Sequence, residues 1–263
     1  MATLNESIDA LVCDLDGVVY RGNVPIPGAA EALVRWRDSK RRFLLCTNNS
    51  AFTDEQYIAK LASMGLECDT EEILTSASVT REILKRRKVT GNALVIGGEG
   101  LRAAALSAGL RTLPEQSDEI PSVVLVGWDR SFTWDKMRIA ATAVRAGAIF
   151  IASNADATFP APDGLWPGAG SILASIEKAA GRQAEVMGKP HRPMMEVAQE
   201  RLHGSRGIAM VGDRNDTDLD GARSMGWTAI LALSGVTDRA QATRLSPPPD
   251  LVLQSLADLL PPQ

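Results

Sequence analysis

Short apolar runs of β type alternate with helical stretches along the whole chain, the pattern of a parallel α/β architecture. In the first part, Ile8 to Cys13 predicts a strand, Ala29 to Ser39 a helix, and Arg42 to Cys46 a second strand. Thr53-Asp54-Glu55-Gln56 reads as a capping box opening a helix that runs to about Ser63. The last part repeats the rhythm: Pro193 to Leu202 helical, Ile208 to Val211 a strand, Thr217 to Met225 a helix, and Thr228 to Leu231 a strand. Pro247-Pro248-Pro249 makes a stiff connection before a last short strand and helix.

The middle of the chain has βα units of its own. Its strands are Leu94 to Ile96, Val123 to Val126 and Ile149 to Ala152, and its helices include Thr133 to Ala146 and Ser171 to Ala180. The acidic strand-end clusters fall in the outer parts and not here. The expected organisation is a Rossmann-like, doubly wound parallel core built from residues 1–75 and 186–263, with an inserted α/β cap over 76–185.

Composition narrows the class. The chain has 263 residues, enough for one large or two modest domains, and a net charge of -4, which leaves no basic footprint for nucleic acid. No apolar run approaches the roughly 20 residues of a membrane helix, and no signal peptide is visible. Cys13, Cys46 and Cys68 are unclustered, against a disulfide scaffold or zinc site. A cytoplasmic enzyme is the expectation.

The strand-end clusters carry the candidate chemistry. Asp14-Leu15-Asp16-Gly17 follows the first strand, Thr47-Asn48-Asn49 the second, and Gly212-Asp213 the strand Ile208 to Val211, with Asp218 close behind; Lys189 follows Gly188. A parallel sheet gathers such ends at its carboxyl edge, where open sheets bind ligands. Asp14 and Asp16 resist joint ionisation unless a cation neutralises them or one keeps a proton, the split that a nucleophile and a general acid require. Asp213 suits Mg²⁺, which prefers oxygen ligands, with Asp218 a further ligand or an anchor behind it. Thr47 and Asn48 offer neutral donors to a phosphate, and Lys189 a mobile positive charge. Pro190 biases Lys189 toward extended backbone. Singly, each has a blander reading: a solvated turn, a helix cap, a surface lysine.

Two motifs imitate other functions. Asp216 to Gly221 fits the opening of a calcium-binding loop, but Trp227 stands where a bidentate Glu is needed. Gly98-Glu99-Gly100-Leu101-Arg102-Ala103 fits a dinucleotide fingerprint, yet Asp118 precedes the next strand instead of ending it, and a glycine-rich turn explains the motif as well. Trp128, Trp134 and Trp166 fall in the middle segment, as pocket lining or, for at least two of them, as core packing.

DLDGVVYRGNVPIPGA from Asp14, CTNNS from Cys46, GKPHRPM from Gly188 and VGDRNDTDLDGARSMGW from Val211 resemble the haloacid dehalogenase superfamily of phosphatases, in its NagD-like (class IIA) branch with the p-nitrophenyl and pyridoxal phosphate phosphatases. VGWDRSFTW, IASNADATFP and DGLWPGAGSI extend the resemblance through the middle. It implies Asp14 as nucleophile and Asp16 as general acid and base. Mg²⁺ would be held by Asp14, the Asp16 backbone carbonyl and Asp213, with Asp218 in support. Thr47, Asn48 and Lys189 would bind the phosphoryl group, Gly17 to Val24 would couple cap closure to catalysis, and Asp156 with the loop Pro160 to Gly170 would touch the leaving group. Asn215 departs from the apolar residue more usual in this branch. The resemblance also suggests a homodimer. The expected partner is a small phosphorylated metabolite: a sugar phosphate, glycerol phosphate, nucleotide or pyridoxal phosphate. A phosphotransferase of the same chemistry and a phosphometabolite-binding regulatory protein with vestigial activity are the alternatives.

Overall fold

The computed structural model describes residues 7–114, 117–161 and 164–260. The chain folds into two compact units. The first takes residues up to Thr47, Glu55–Leu74, and those from Met194 on; the second takes Asn48–Asp54 and Thr75–Pro193.

The first unit is built on a six-stranded sheet in the order Leu251–Leu253, Thr228–Ala232, Ile208–Gly212, Ala10–Cys13, Arg42–Thr47, Ile73–Thr75. Numbered along this unit, the strands run 6-5-4-1-2-3, the doubly wound order, with its switch point between Ala10–Cys13 and Ile208–Gly212. Both neighbours of Ala10–Cys13 are parallel to it, Cys13 standing opposite Val211 and Leu45. Every residue of that strand is buried, which is why the sequence shows a continuous apolar run and no alternation. Helix Ala29–Asp38 buries Ala29, Ala32, Leu33 and Trp36, one face at helical spacing, in the cluster that holds Leu11, Cys13, Phe43 and Leu45. The Trp36 indole donates to the Arg42 carbonyl at 2.8 Å, so this largest core side chain leaves no polar atom stranded.

The second unit has its own five-stranded parallel sheet, ordered Glu185–Val186, Ile149–Ala152, Val123–Val126, Asn92–Ile96, Arg111–Thr112. Its numbering runs 5-4-3-1-2, the other common doubly wound order, with the switch point between Asn92–Ile96 and Val123–Val126. Helices Trp134–Arg145 and Ala169–Ala180 place Ala140, Ala141, Val144, Ile172, Leu173 and Ile176 in one core with Leu94, Ile96, Val124, Val126 and Phe150. Hydroxyls cap two of this unit's helices: Thr133 accepts from Lys136 N–H and Thr75 from Ser78 N–H.

Several elements differ from the sequence reading, among them the edge strands Arg111–Thr112 and Glu185–Val186 of the second sheet, which it did not give. Ile73–Thr75 is a strand and Ser76–Arg86 a helix, neither of them anticipated. The strand is too short for its period to show, and the helix opens on Ser-Ala-Ser-Val-Thr, a weak helix former held by the Thr75 cap. The helix expected over Thr217 to Met225 opens as a π-helical turn, Asn215–Leu219, before the short α-helix Asp220–Ser224. Pro162 and Asp163, within the expected leaving-group loop, lie outside the described residues.

Candidate active site

Asp14 and Asp213 are the first residues beyond Ala10–Cys13 and Ile208–Gly212, so both leave the sheet at the carboxyl edge of the switch point. The Asp14 N–H continues the ladder to Val211 O at 2.9 Å. Asp218 joins them from the π-helical turn: one carboxylate oxygen from each of Asp14, Asp213 and Asp218 lies within 4.8 Å of the others. All three residues are buried, at 7%, 2% and 0% exposure. At an effective dielectric of about 20, two full charges at such a spacing repel by about 3.5 kcal/mol, a cost that positive charge placed among them would offset.

Local structure explains how three acids fit there. A Cβ on Gly17 would lie 2.2 Å from Asp213 Oδ2, one on Gly235 1.9 Å from the same atom, and one on Gly212 2.1 Å from the Asp218 side chain. Gly17 also sits at φ +84°, a conformation that other residues resist. Asp213 Oδ2 accepts from Val236 N–H at 2.7 Å and Asp218 Oδ2 from Arg214 N–H at 3.1 Å, which aims each carboxylate by one oxygen. The donor set is all oxygen and all anionic, the chemistry that a hard divalent cation takes.

Asp16 follows Asp14 by two residues. It is half-buried, on the turn where Gly17 N–H donates to Tyr20 O at 2.7 Å. Its charge lies beside Tyr20 and Lys60, and the Lys60 ammonium sits 3.6 Å from the Tyr20 ring centroid. Burial lowers the Lys60 pKa, with Asp16 acting against that shift; burial and the neighbouring charges of Asp16, Tyr57 and Asp14 push the Tyr20 phenol well above its ordinary value. Thr47 ends its strand, buried.

The second unit holds the other expected residues, Asn48, Lys189 and Asp156. Asn48 Nδ2 donates to both Asp156 carboxylate oxygens, at 3.0 and 3.2 Å, and to Lys189 O at 3.0 Å. Its Oδ1 accepts from Lys189 N–H at 2.7 Å, and its carbonyl accepts from Ser76 Oγ and Asn154 Nδ2 at 2.6 and 2.7 Å. Gly188 makes room, since a Cβ there would lie 2.6 Å from Asn48 Oδ1.

The sequence reading missed Lys60 and Tyr20, the Gly235-Val236 support of Asp213, and Ser76 and Asn154 around Asn48. Ser234-Gly235 follows a strand end, a signal of the kind already in use. Nothing in the pattern of residues announces the others. The glycine-rich motif is accounted for by packing. Gly100 N–H donates to Ala51 O and Leu101 N–H to Ser50 O, so the helix N-terminus that a pyrophosphate would need holds the chain's own carbonyls. Trp128 stacks on Phe159 at 4.6 Å and Trp166 lies under Arg130, whereas Trp134 is 66% exposed.

Fold and residues together define a doubly wound α/β protein with a carboxylate site at its first switch point. Family models described as haloacid dehalogenase-like hydrolase and HAD-hydrolase-like match residues 11–111 and 186–259. A dihydroxyacetone phosphatase of Corynebacterium glutamicum (strain R) is 36% identical over 94% of this chain and 88% of its own. Glycerol phosphate phosphatase of Mycobacterium tuberculosis, solved in complex with magnesium, is 33% identical with TM-score 0.87, over 98% of this chain and 78% of that one. NagD from E. coli K-12 is 32% identical with TM-score 0.84, over 95% and 98%. The chain belongs to the haloacid dehalogenase-like hydrolase family, as a phosphatase of its NagD-like branch.

Proposed function

We propose that this protein hydrolyses small phosphoric monoesters through an aspartyl phosphate on Asp14. The observation that carries the reading is the convergence of three buried carboxylates, Asp14, Asp213 and Asp218, at the switch point of the first sheet. Mg²⁺ would be held by Asp14, the Asp16 carbonyl and Asp213, with Asp218 in support; a relative solved with magnesium favours this ion. When bound, the ion supplies positive charge to the carboxylates and to the phosphoryl oxygens.

An Asp14 carboxylate oxygen attacks phosphorus, forming an O–P bond as the ester P–O bond breaks. Asp16 gives its proton to the departing alkoxide. Water then attacks the phosphorus of the acyl phosphate, Asp16 takes a proton from that water, and inorganic phosphate leaves with the Asp14 carboxylate restored. Thr47, Asn48 and Lys189 would bind the phosphoryl oxygens, the lysine by charge, the threonine by its hydroxyl and Asn48 by its backbone N–H. The second unit would serve as the inserted cap that selects the leaving group.

The names of the relatives direct the substrate panel: triose and glycerol phosphates first, sugar phosphates and nucleotides next. Phosphate release from these esters with Mg²⁺, abolished by EDTA and restored by added Mg²⁺, is the expected result. Release undiminished by EDTA would sink the metal assignment, and no release from any ester would sink the phosphatase reading.

A further inference from the structure

Every polar atom of the Asn48 side chain is committed within its own unit, and the commitments are complementary. Asp156 carboxylate oxygens only accept and the Lys189 N–H only donates, so Nδ2 must face the first and Oδ1 the second. A flipped amide would set oxygen against carboxylate and NH₂ against N–H. The loop that carries Asp156 is itself anchored. Asp156 N–H donates to Asn154 Oδ1 at 3.1 Å, Gly170 N–H donates to Asp156 O at 2.9 Å, and Gly168 N–H donates to Ala157 O at 2.9 Å. Cβ atoms on Gly168 and Gly170 would come within 2.3 and 2.2 Å of the Asp156 and Ala155 carbonyls, so the loop is seated tightly on this helix start. Asn154 closes the ring by donating its amide to Asn48 O.

We propose that Asp156, assisted by Asn154, is a positioning residue that fixes the amide of Asn48 and, through it, the backbone of Lys189. The functional consequence rests on the phosphatase reading above, in which Asn48 and Lys189 bind the phosphoryl group. This role differs from contact with the leaving group. A positioning residue affects every ester alike, and inorganic phosphate as well, because the phosphoryl moiety is common to all. A leaving-group contact changes the ranking of esters and does not touch inorganic phosphate, which has no leaving group.

The test pairs an activity readout with one that does not depend on turnover. In Asp156→Ala, KM for each ester and the inhibition constant of inorganic phosphate should rise together, by about tenfold or more, the scale of one charge-assisted hydrogen bond. Asp156→Asn, which keeps an acceptor for the Asn48 amide, should restore part of that loss and covers the case in which the alanine variant does not fold. By NMR, the Asn48 side-chain NH₂ should exchange slowly with solvent in the wild type and markedly faster in Asp156→Ala. An altered ester ranking with an unmoved phosphate constant would overturn the proposal, as would an Asn48 signal indifferent to Asp156. If the wild type releases no phosphate from any ester, the phosphatase reading fails, and the NMR comparison still decides whether Asp156 holds Asn48.

Discussion

Both units are open, doubly wound sheets, yet their switch points have opposite contents. In the first, Asp14 and Asp213 leave adjacent strands and Asp218 joins them, three buried acids drawn together. In the second, the chain's own segment Asn48–Asp54 fills the corresponding crevice. A Cβ on Gly98 would strike Ala51, one on Gly127 would strike Ser50 Oγ, and Ser50 Oγ donates to Ser153 Oγ at 2.8 Å. The buried charges beyond that edge are paired: Lys136 donates to Asp129 at 2.8 Å and to Ser131 Oγ at 2.7 Å. Equivalent edges of equivalent folds therefore hold different contents: three converging carboxylates at one, and a segment of the chain itself at the other.

The comparison breaks most visibly at Asp14, the proposed nucleophile. Asp14→Asn keeps the shape but loses the attacking charge, and phosphate release should fall by about a thousandfold or more with the circular dichroism spectrum unchanged. Wild-type turnover in this variant would end the aspartyl-phosphate assignment. Next comes Asp213→Asn, expected to raise the Mg²⁺ concentration for half-maximal activity by about 10–100-fold. With Mg²⁺ chelated, its melting temperature should equal or exceed the wild type's, because one of three crowded charges is gone. Lower melting temperatures in EDTA would show that the cluster is satisfied without a cation.

In the second unit the same kind of substitution should act on stability in the other direction. Asp129→Asn leaves Lys136 buried beside a neutral group and should cost about 2–3 kcal/mol at neutral pH, discounted for the partial exposure of the loop. Burial would raise the Asp129 pKa, but the hydrogen bonds from Lys136 and Ser131 prevail and it lies below the usual carboxylate range. A depressed carboxylate pKa contributes stability that is present above the unfolded value, near 3.9, and lost as pH falls through the folded value. Denaturant melts should therefore separate wild type and variant equally from pH 7 to about 5, and converge in stronger acid. Divergence on acidification would refute the pairing. The smallest effect concerns the filled crevice. Gly100→Ala in a helix would ordinarily stabilise by up to about 1 kcal/mol. Here its Cβ would lie 2.0 Å from Phe52 O, and overpacking should instead destabilise by about 1–3 kcal/mol. A rise in melting temperature would mean that the segment yields easily.

Much of this was legible in the residues because the signals are local. The strands Ala10–Cys13 and Val123–Val126 are buried through their length, and Ile208–Gly212 in all but its first residue, so their apolar runs mark them within a residue or two of the sequence reading. The helix Trp134–Arg145 fills the expected range Thr133 to Ala146, with Thr133 as its cap. What escaped was short or held by distant partners. Ile73–Thr75 has three residues, too few to show a period. The opening turn at Asn215–Leu219 widened where Asp218 folds back to accept from Arg214 N–H and pack on Gly212, a choice that helix propensity does not register.

The sequence by itself determined where each acid stands relative to its strand, the alternation of elements, and the family, because hydrophobic period and strand-end chemistry are written in adjacent residues. Tertiary structure decided which acids meet: Asp218, from a turn beyond the sheet, joins Asp14 and Asp213. It also decided that the glycine-rich motif grips Ser50 and Ala51, and that Asp156 holds Asn48 across 108 positions of sequence. The physical reason is range. Burial periodicity acts between neighbours a few residues apart, whereas the convergence of charges and the pairing of buried donors with acceptors depend on strand order and on loops that only the folded chain brings together.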